Sequence, residues 1–235
     1  MNIAIVFAGG VGARMGATIP KQFLEICGKP VLAHTLGLFQ AHPEIDAIQI
    51  VAAKDCFSRV EEIVRRYEIS KCCGIAGGGE TAQDSIYNGL KAVAAKHPAD
   101  TIVLLHDGVR PYIKPEVISA NIAGVKANGN AVTFTSCFET LVLSEDGKHI
   151  SDIPPRRMSY SAQAPQSFRL GDILAAHEKI RQMPSGYTDM VDQATICWKL
   201  GIPINLVPGN RGNIKITTPE DLVVLEALIR AVGKD

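Results

Sequence analysis

The sequence predicts an α/β fold: a three-layer α/β/α sandwich around a Rossmann-like, mostly parallel sheet. Runs rich in Ile and Val alternate along the chain with amphipathic helical patterns, and this alternation is typical of parallel βαβ units. The chain has 235 residues and is 46% hydrophobic, which is enough for one large core. We therefore expect a single domain that spans residues 1–235.

Short apolar runs mark the predicted strands. Ile3 to Phe7 indicates a buried strand near the start of the chain, and further strands are expected at 48–51, 101–105 and 131–135. Continuous apolar runs of this length fit strands that are covered on both faces of a sheet. Open α/β sheets bind their ligands beyond the carboxyl ends of strands, so the loops that follow these runs are candidate sites.

Helices are predicted from apolar spacing and from their start signals. Apolar residues recur at helical spacing between Ser58 and Ile69, with charged residues on the other side, and 81–95 repeats the pattern. Pro115 suits the first turn of another helix. Near the end of the chain, Thr218 followed by proline indicates a capped helix start.

One segment interrupts the alternation of strands and helices. The stretch 138–153 has two alternating runs on either side of Asp146 and Gly147, which predicts a β-hairpin. A lone hairpin is marginal in water, so this one should pack on another surface. A second copy of the chain would bury its apolar face in a symmetric dimer. An ordinary edge hairpin on the chain's own sheet is the alternative.

Charge and cysteine content exclude several classes of protein. The formal net charge is +0 and the basic residues are dispersed, so a nucleic-acid partner is not expected. The six cysteines lack paired CxxC spacing, which favours buried, reduced thiols over a zinc site. The start MNIAIVFAGG resembles no signal peptide, and no apolar run is long enough to span a membrane. We expect a cytoplasmic protein without a membrane partner.

The stretch 7–23, FAGGVGARMGATIPKQF, combines a glycine loop with two cations, Arg14 and Lys21. Glycine amides approach a polyphosphate closely because no Cβ is in the way, and the cations would neutralise charge on a leaving phosphate. The spacing fits neither the P-loop nor the dinucleotide fingerprint. Glycine content alone is compatible with an ordinary turn. Pro20 favours the phosphate interpretation, because it stiffens the chain that presents Lys21.

Three later segments carry further candidate residues. Asp107 follows the apolar run TIVLL, where a carboxylate can hold Mg2+ against phosphate; a salt bridge to Arg110 or a helix cap is the alternative. The second glycine loop, 77–85, leads into a helix whose first amides either bind a ligand or simply need a cap. Lys215 is predicted on a short strand, where a lone lysine would ordinarily be a solvated surface group.

Taken in order, these motifs resemble those of the cytidylyltransferases that act on small polyol phosphates. The similarity runs from the first strand to NIKITTPEDL near the end, through HDGVRP at 106–111 and AQAPQSF at 162–168. The resemblance implies a fold of the nucleotide-diphospho-sugar transferase type. It also implies transfer of CMP from CTP to a polyol phosphate with Mg2+, and a homodimer held by a protruding arm at about residues 138–160.

The resemblance implies roles for individual residues. The catalytic cations would be Arg14, Lys21 and Lys215. The nucleotide would contact Ala8, Gly9, Gly10, Gly12, Gly79, Ser85, Asp107 and Gly108. The acceptor substrate would contact Arg110, Thr140, Arg156 and Thr188, with Arg156 reaching across the dimer. Asp107 would be the metal ligand.

Two positions depart from the family pattern: Ala82 bears on a nucleotide contact, and Ala164 bears on the acceptor. Ala82 stands where the methylerythritol branch commonly has arginine, and Ala164 stands where threonine is usual. HDGVRP and the DIPxR run before AQAPQSF are closer to the ribitol branch. We therefore expect D-ribitol 5-phosphate as the acceptor, with 2-C-methyl-D-erythritol 4-phosphate as the alternative.

Other classes of function stay open. A nucleotidyltransferase that uses UTP or GTP would share the loop chemistry. A non-catalytic nucleotide-binding module is the alternative of another class, although binding alone would not require Arg14, Lys21, Asp107 and Lys215 together. A dinucleotide dehydrogenase would need an acidic residue about twenty positions after the glycines, and Asp55 comes too late.

Overall fold

The computed structural model describes residues 1–9 and 19–232 of the chain. The strands are β1 (Asn2–Ala8), β2 (Glu25–Ile26), β3 (Lys29–Pro30), β4 (Ala47–Ala52), β5 (Cys72–Gly77), β6 (Ile102–Asp107), β7 (Asn130–Ser136), β8 (Tyr160–Arg169) and β9 (Leu206–Pro208). The α-helices are α1 (Val31–Ala41), α2 (Phe57–Arg66), α3 (Ala82–Ala94), α4 (Pro115–Asn128), α5 (Leu170–Gln182), α6 (Gln193–Lys199) and α7 (Pro219–Val232).

Seven of these strands form one sheet in the order β5-β4-β1-β6-β8-β7-β9, while β2 and β3 form a small antiparallel pair. β1 is parallel to β4 and β6, β4 to β5, and β7 to β9. β8 lies between β6 and β7 and is antiparallel to both. The predicted mostly parallel sheet is therefore confirmed, with one strand of opposite direction inserted between β6 and β7.

Helices cover both faces of the sheet, which confirms the three-layer arrangement. Along β1, Ala4 and Val6 pack in the core that receives side chains from α1, α2 and α4. Ile3 and Ile5 pack in the other core, to which α3, α5 and α6 contribute. The alternation follows from the two-residue period of strand side chains. The carboxyl end of β1, where Phe7 lies, is thereby held between two apolar layers.

The sequence signals for helix starts are also confirmed. The two predicted amphipathic helices correspond to α2 and α3, and Pro115 and Pro219 begin α4 and α7. At the start of α3 the Thr81 side chain accepts a hydrogen bond from the Asp84 amide, and the Asp84 side chain accepts one from the Thr81 amide. This reciprocal capping box fixes the end of the second glycine loop.

The predicted β-hairpin is not confirmed as a pair of strands. Residues 138–159, which we call the arm, are largely exposed, and their one β-bridge among the described residues joins Leu143 to Asp152. Gly147 has a φ of +69°, as a turn requires. A two-stranded ladder is marginal without a third surface. Apolar side chains of the arm, such as Ile150, are instead exposed in the single chain.

Lys215 does not lie on a strand, contrary to the prediction. Residues 213–217 have no regular secondary structure. The Ile216 amide nevertheless donates a hydrogen bond to the Val109 carbonyl at 3.0 Å. This one bond is too little to make a ladder, but it ties the segment to the loop after β6 and brings Lys215 close to Asp107.

The cysteines are unpaired, as predicted, but they are not all buried. Cys27 and Cys73 are exposed. Cys27 lies in the turn between β2 and β3, and Cys73 lies on β5 at the edge of the sheet, so neither has a covering layer. Within the described residues, no helix combines the length and the apolar character needed to cross a membrane.

Candidate active site

Two adjoining cavities lie at the carboxyl ends of β1 and β6. The loop cavity has a volume of about 340 Å³ and is bordered by both glycine loops, at Gly9 and Gly79. The amide cavity has a volume of about 280 Å³ and is bordered by glutamine side chains from β8 and α6. The two cavities share five lining residues: Phe7, Ala82, Ile86, Asp107 and Lys215. This is the edge where ligands of open α/β sheets bind.

Asp107 lies where the two cavities meet and is held by two cations. Lys215 Nζ lies 2.8 Å from Asp107 Oδ1, and Arg110 Nε lies 2.7 Å from Asp107 Oδ2. Burial raises the pKa of the Asp107 carboxyl, but the charges and hydrogen bonds of Lys215 and Arg110 outweigh it and leave the pKa well below its ordinary value. The salt bridge to Arg110, which was the alternative to a metal-binding role for Asp107, is present, and the carboxylate also lines both cavities.

Lys21 reaches the same place from the N-terminal loop. It begins a short 3-10 turn directly after Pro20, and its Nζ donates a hydrogen bond to the Ile216 carbonyl at 2.9 Å. Lys21, Asp107 and Lys215 all line the loop cavity. Three of the four charged residues predicted to converge are thus together, and the fourth, Arg14, lies outside the described residues.

The second glycine loop forms one wall of the loop cavity. A Cβ at position 79 would lie 2.3 Å from the Asp84 Cβ, so only glycine fits there. The Ser85 hydroxyl accepts a hydrogen bond from the Gly79 amide and donates one to the Thr81 carbonyl, both at 3.0 Å. Gly79 and Ser85 both line the cavity.

The amide cavity has a wall that the sequence predictions missed. Gln166 donates a hydrogen bond to Asp192 Oδ2 at 2.8 Å and accepts bonds from the Gln193 and Ala194 amides. Gln163, also on β8, borders the same cavity. Two buried glutamines in one strand are unusual, because buried amides need partners. The motif AQAPQSF contains both, so the two glutamines of that motif were the available signal.

His106 was also not among the predicted site residues. It borders the amide cavity beside Asp107, and its ring packs edge-on against Phe39 with centroids 5.1 Å apart. Desolvation by burial lowers the pKa of His106 to about 4, against the opposing charge of Asp107. The imidazole is therefore neutral near pH 7 and adds no cation to the cluster.

Some predicted contacts lie beside the cavities and do not line them. Ala8 and Gly108 are buried, and the Gly108 amide donates its hydrogen to the Phe7 carbonyl at 2.8 Å. Thr188 is exposed in the turn that leads to Asp192. Thr140 and Arg156 lie together on the arm, with Arg156 Nη2 donating to Thr140 Oγ1 at 3.0 Å. Gly10 and Gly12 lie outside the described residues.

The donor set suits a magnesium ion that arrives with a phosphate ligand. Among the described residues no group of three or more His, Cys, Asp or Glu side chains is arranged to hold a metal. The carboxylates that line the loop cavity are Asp107 and Glu80. Magnesium usually takes one or two protein carboxylates and fills its other positions with phosphate oxygens and water. Asp107 fits that pattern, provided that it shares its oxygens with Lys215 and Arg110.

The sequence matches one family over residues 2–231: IspD, 2-C-methyl-D-erythritol 4-phosphate cytidylyltransferase. The chain belongs to the IspD family. A ribitol-5-phosphate cytidylyltransferase of Streptococcus agalactiae serotype III (strain NEM316) is 44% identical over 232 residues, which are 98% of this chain and 96% of that protein. A 2-C-methyl-D-erythritol 4-phosphate cytidylyltransferase of Geotalea uraniireducens (strain Rf4) is 38% identical over 234 residues, 99% of this chain and 98% of that protein.

A solved structure shares the fold of this IspD-family protein. It is the crystal structure of 4-diphosphocytidyl-2C-methyl-D-erythritolsynthase from Anaerococcus prevotii DSM 20548, with a TM-score of 0.83 and 29% identity. The match covers 97% of this chain and 96% of that chain. The resemblance to cytidylyltransferases is therefore confirmed over nearly the whole chain, and so is the predicted enzyme class, a nucleotidyltransferase.

Proposed function

We propose that this IspD-family protein transfers CMP from CTP to a small polyol phosphate and releases pyrophosphate. The observation that carries the proposal is that Lys21, Asp107 and Lys215 line one cavity, although they come from three distant parts of the chain. D-ribitol 5-phosphate is the favoured acceptor, because a ribitol-5-phosphate cytidylyltransferase is 44% identical, against 38% for a methylerythritol-phosphate enzyme.

The reaction needs positioning and charge neutralisation more than a protein base. An oxygen of the polyol phosphate attacks the α-phosphorus of CTP in line, and the bond to the leaving pyrophosphate breaks. The attacking phosphate is already anionic, so no proton has to be removed from it. Lys21 and Arg14 stabilise the charge that develops on the α-phosphate and pyrophosphate, and Lys215 holds a phosphate group.

Asp107 is the residue that would hold Mg2+. A bound magnesium ion supplies positive charge that neutralises phosphate oxygens in reactions of this class. The low pKa of Asp107 keeps its carboxylate ionised throughout the physiological range. Lys215 and Arg110 hold both carboxylate oxygens in place, so the ligand is positioned before any metal binds.

The two cavities suit the two substrates. The loop cavity receives the nucleotide, because both glycine loops border it at Gly9, Gly79 and Ser85. The family resemblance supports further nucleotide contacts at Ala8, Gly10, Gly12 and Gly108. The amide cavity receives the polyol, since amide side chains and Arg110 suit hydroxyl and phosphate groups. Thr188, which is exposed in the turn that leads to Asp192, is a further proposed contact of the acceptor.

A homodimer completes the acceptor site in this proposal. Arg156 and Thr140 are bonded to each other on the exposed arm and border neither cavity of their own chain, as the described residues outline them. They therefore contact the acceptor of a second subunit, which the arm embraces. We also propose that residues 1–235 act as one nucleotidyltransferase domain in the cytoplasm.

One assay tests the proposal. The protein is incubated with Mg2+, each of the four NTPs in turn, and either D-ribitol 5-phosphate or 2-C-methyl-D-erythritol 4-phosphate, and pyrophosphate is measured. We expect release with CTP and the ribitol compound. Release only with the methylerythritol compound would change the acceptor, and no release with any pair would favour a non-catalytic nucleotide-binding module.

A further inference from the structure

We propose that Arg181 is a positioning residue. It fixes the second glycine loop, 77–85, relative to the turn before α6 that carries Thr188, which we call the acceptor-side turn. Arg181 lies in the last turn of α5 and borders neither the loop cavity nor the amide cavity, as the described residues outline them. The proposal rests on the function above, because it assigns the loop cavity to CTP and the amide cavity to the acceptor.

The first contact joins Arg181 to the start of α3. Arg181 Nη1 lies 2.6 Å from Asp84 Oδ1. The other oxygen of Asp84 accepts hydrogen bonds from the Thr81 amide and from the Thr81 hydroxyl. Asp84 also fills the space against Gly79, where no Cβ would fit. The guanidinium therefore holds the carboxylate that shapes one wall of the loop cavity.

The second contact joins Arg181 to the turn before α6. The guanidinium carbon lies 4.6 Å from the ring centroid of Tyr87 and 5.7 Å from that of Tyr187. The Tyr187 hydroxyl lies 2.7 Å from Nδ1 of His177, which is buried on α5. Tyr187 lies in the turn that carries Thr188 and leads to Asp192, which lines the amide cavity. The guanidinium next to both rings therefore ties α5 to that side of the cavity.

Hydrogen bonds between neutral side chains and backbone also join the start of α3 to the turn before α6. Gln83 donates a hydrogen bond to the Met190 carbonyl at 2.9 Å and accepts one from Gln193 at 3.2 Å. The first turn of α3 thus meets the acceptor-side turn directly through Gln83 and indirectly through Arg181. Arg181 reaches both parts from a third element, α5.

Because the ion pair between Arg181 and Asp84 is partly exposed, its effect on kinetics can be distinguished from its effect on stability. The side chain of Arg181 is 42% exposed and that of Asp84 is 28% exposed. Exposed ion pairs contribute little to the stability of a folded protein. A small misplacement of groups that orient a substrate, in contrast, lowers turnover strongly. Loss of Arg181 should therefore change the kinetic constants and leave the melting temperature nearly unchanged.

The primary test compares Arg181→Ala with the wild type in the pyrophosphate assay. We expect the KM values for CTP and for the polyol phosphate each to rise about threefold to tenfold, while Tm changes by less than about 2 °C. Arg181→Lys, which keeps a cation near Asp84 and the tyrosine rings, should recover part of both KM values. Lys179→Ala removes a cation from an exposed position on the same helix and should leave both KM values unchanged.

Two further variants separate the two contacts. Asp84→Asn keeps an oxygen that caps α3 but removes the charge that Arg181 meets, and it should raise chiefly the KM for CTP. Tyr187→Phe should raise chiefly the KM for the polyol phosphate. In a double-mutant cycle, adding Asp84→Asn to Arg181→Ala should change the KM for CTP by less than Asp84→Asn does alone.

The outcomes distinguish this proposal from the function on which it rests. If the wild type is active and the KM values of Arg181→Ala agree with its values within about 1.5-fold, the positioning role alone is overturned. The role is also overturned if the fall in Tm of Arg181→Ala accounts for its lost activity and Arg181→Lys recovers neither KM value. A wild type that releases no pyrophosphate from CTP overturns the proposed function, and the role of Arg181 with it.

Discussion

Lys215 Nζ lies 2.8 Å from Asp107 Oδ1, although one residue precedes α7 and the other ends β6. The contact places a cation and the proposed metal ligand at the junction of the loop cavity and the amide cavity. Arg110 holds the other oxygen of the same carboxylate. A carboxylate held by two cations is ionised and oriented before a phosphate arrives.

The contribution of the Asp107 carboxylate to the unfolding free energy should depend on pH only under acidic conditions. Its pKa lies below the ordinary value of 3.8, so its contribution is fully present above that value and is lost as pH falls towards the folded-state pKa. We expect the difference in unfolding free energy between wild type and Asp107→Asn to be constant from pH 8 to about 5 and to shrink below about pH 4. Urea unfolding at each pH measures it. A difference that already shrinks between pH 7 and 6 would contradict the assignment.

Lys21→Ala should impair turnover more than binding. Its ammonium is expected to stabilise charge that develops only as pyrophosphate leaves, so kcat should fall roughly 100-fold to 1000-fold. Lys21 also donates to the Ile216 carbonyl, so the Tm of the variant must be measured alongside the pyrophosphate assay. Lys199→Ala, at an exposed position on α6, is the control. A folded Lys21→Ala protein with kcat within about threefold of wild type would refute the role.

Gly79→Ala should weaken CTP binding, because its Cβ would lie 2.3 Å from the Asp84 Cβ. The loop has to move away from α3, and the KM for CTP should rise about tenfold or more. Gly77→Ala is the matched control, since a Cβ there comes no nearer than 3.7 Å to the flexible Lys54 side chain. Equal effects of the two substitutions on the KM for CTP would show that the close approach does not matter.

Enlarging Ala164 should affect the acceptor and spare the nucleotide. Ala164 borders the amide cavity, whereas Ala82 borders both cavities. Ala164→Leu is expected to raise the KM for the polyol phosphate about tenfold with little change for CTP, because it fills only one cavity. Ala82→Leu should raise both KM values. If Ala164→Leu raised the KM for CTP instead, the two cavities would be assigned to the wrong substrates.

Substituting charged residues for apolar ones on the arm should dissociate the proposed dimer into monomers. The apolar side chains of Leu143 and Ile150 are 51% and 60% exposed in the single chain. Burying them against a second subunit would be favourable, and replacing both by Asp should prevent it. We expect sedimentation velocity to show a dimer for the wild type and a monomer for the double variant. Val223→Asp, at a position on α7 that is 69% exposed, should not change the sedimentation of the protein. A monomeric wild type would contradict the proposed dimer.

Several strands and helices were predictable because they depend on local patterns. The apolar run from Ile3 to Phe7 and the capped start at Thr81 are fixed by side-chain period and by hydrogen bonds between near neighbours. β8 was not predicted, because an antiparallel strand between two parallel ones depends on pairing with distant residues. The arm was predicted as a hairpin because its turn signal at Asp146 and Gly147 is strong, but a turn alone does not make a ladder.

The same division holds for the candidate site. Lys21 and Asp107 could be selected from the sequence, because a glycine loop and a strand end suggest phosphate chemistry locally. Lys215 was selected through the resemblance to the cytidylyltransferases. Gln166 and Arg181 were missed. Their importance arises from contacts with Asp192 and Asp84, which are remote in sequence.

By itself, the sequence determined the kind of fold, the cytidylyltransferase family and the types of charged group available. Only the tertiary structure decided which of those groups meet: that Lys215 pairs with Asp107, and that Arg181 links the start of α3 to the turn before α6. The reason is physical. Secondary structure follows from interactions over a few residues, whereas a site is assembled by sheet order and helix packing, which bring distant residues within hydrogen-bond distance.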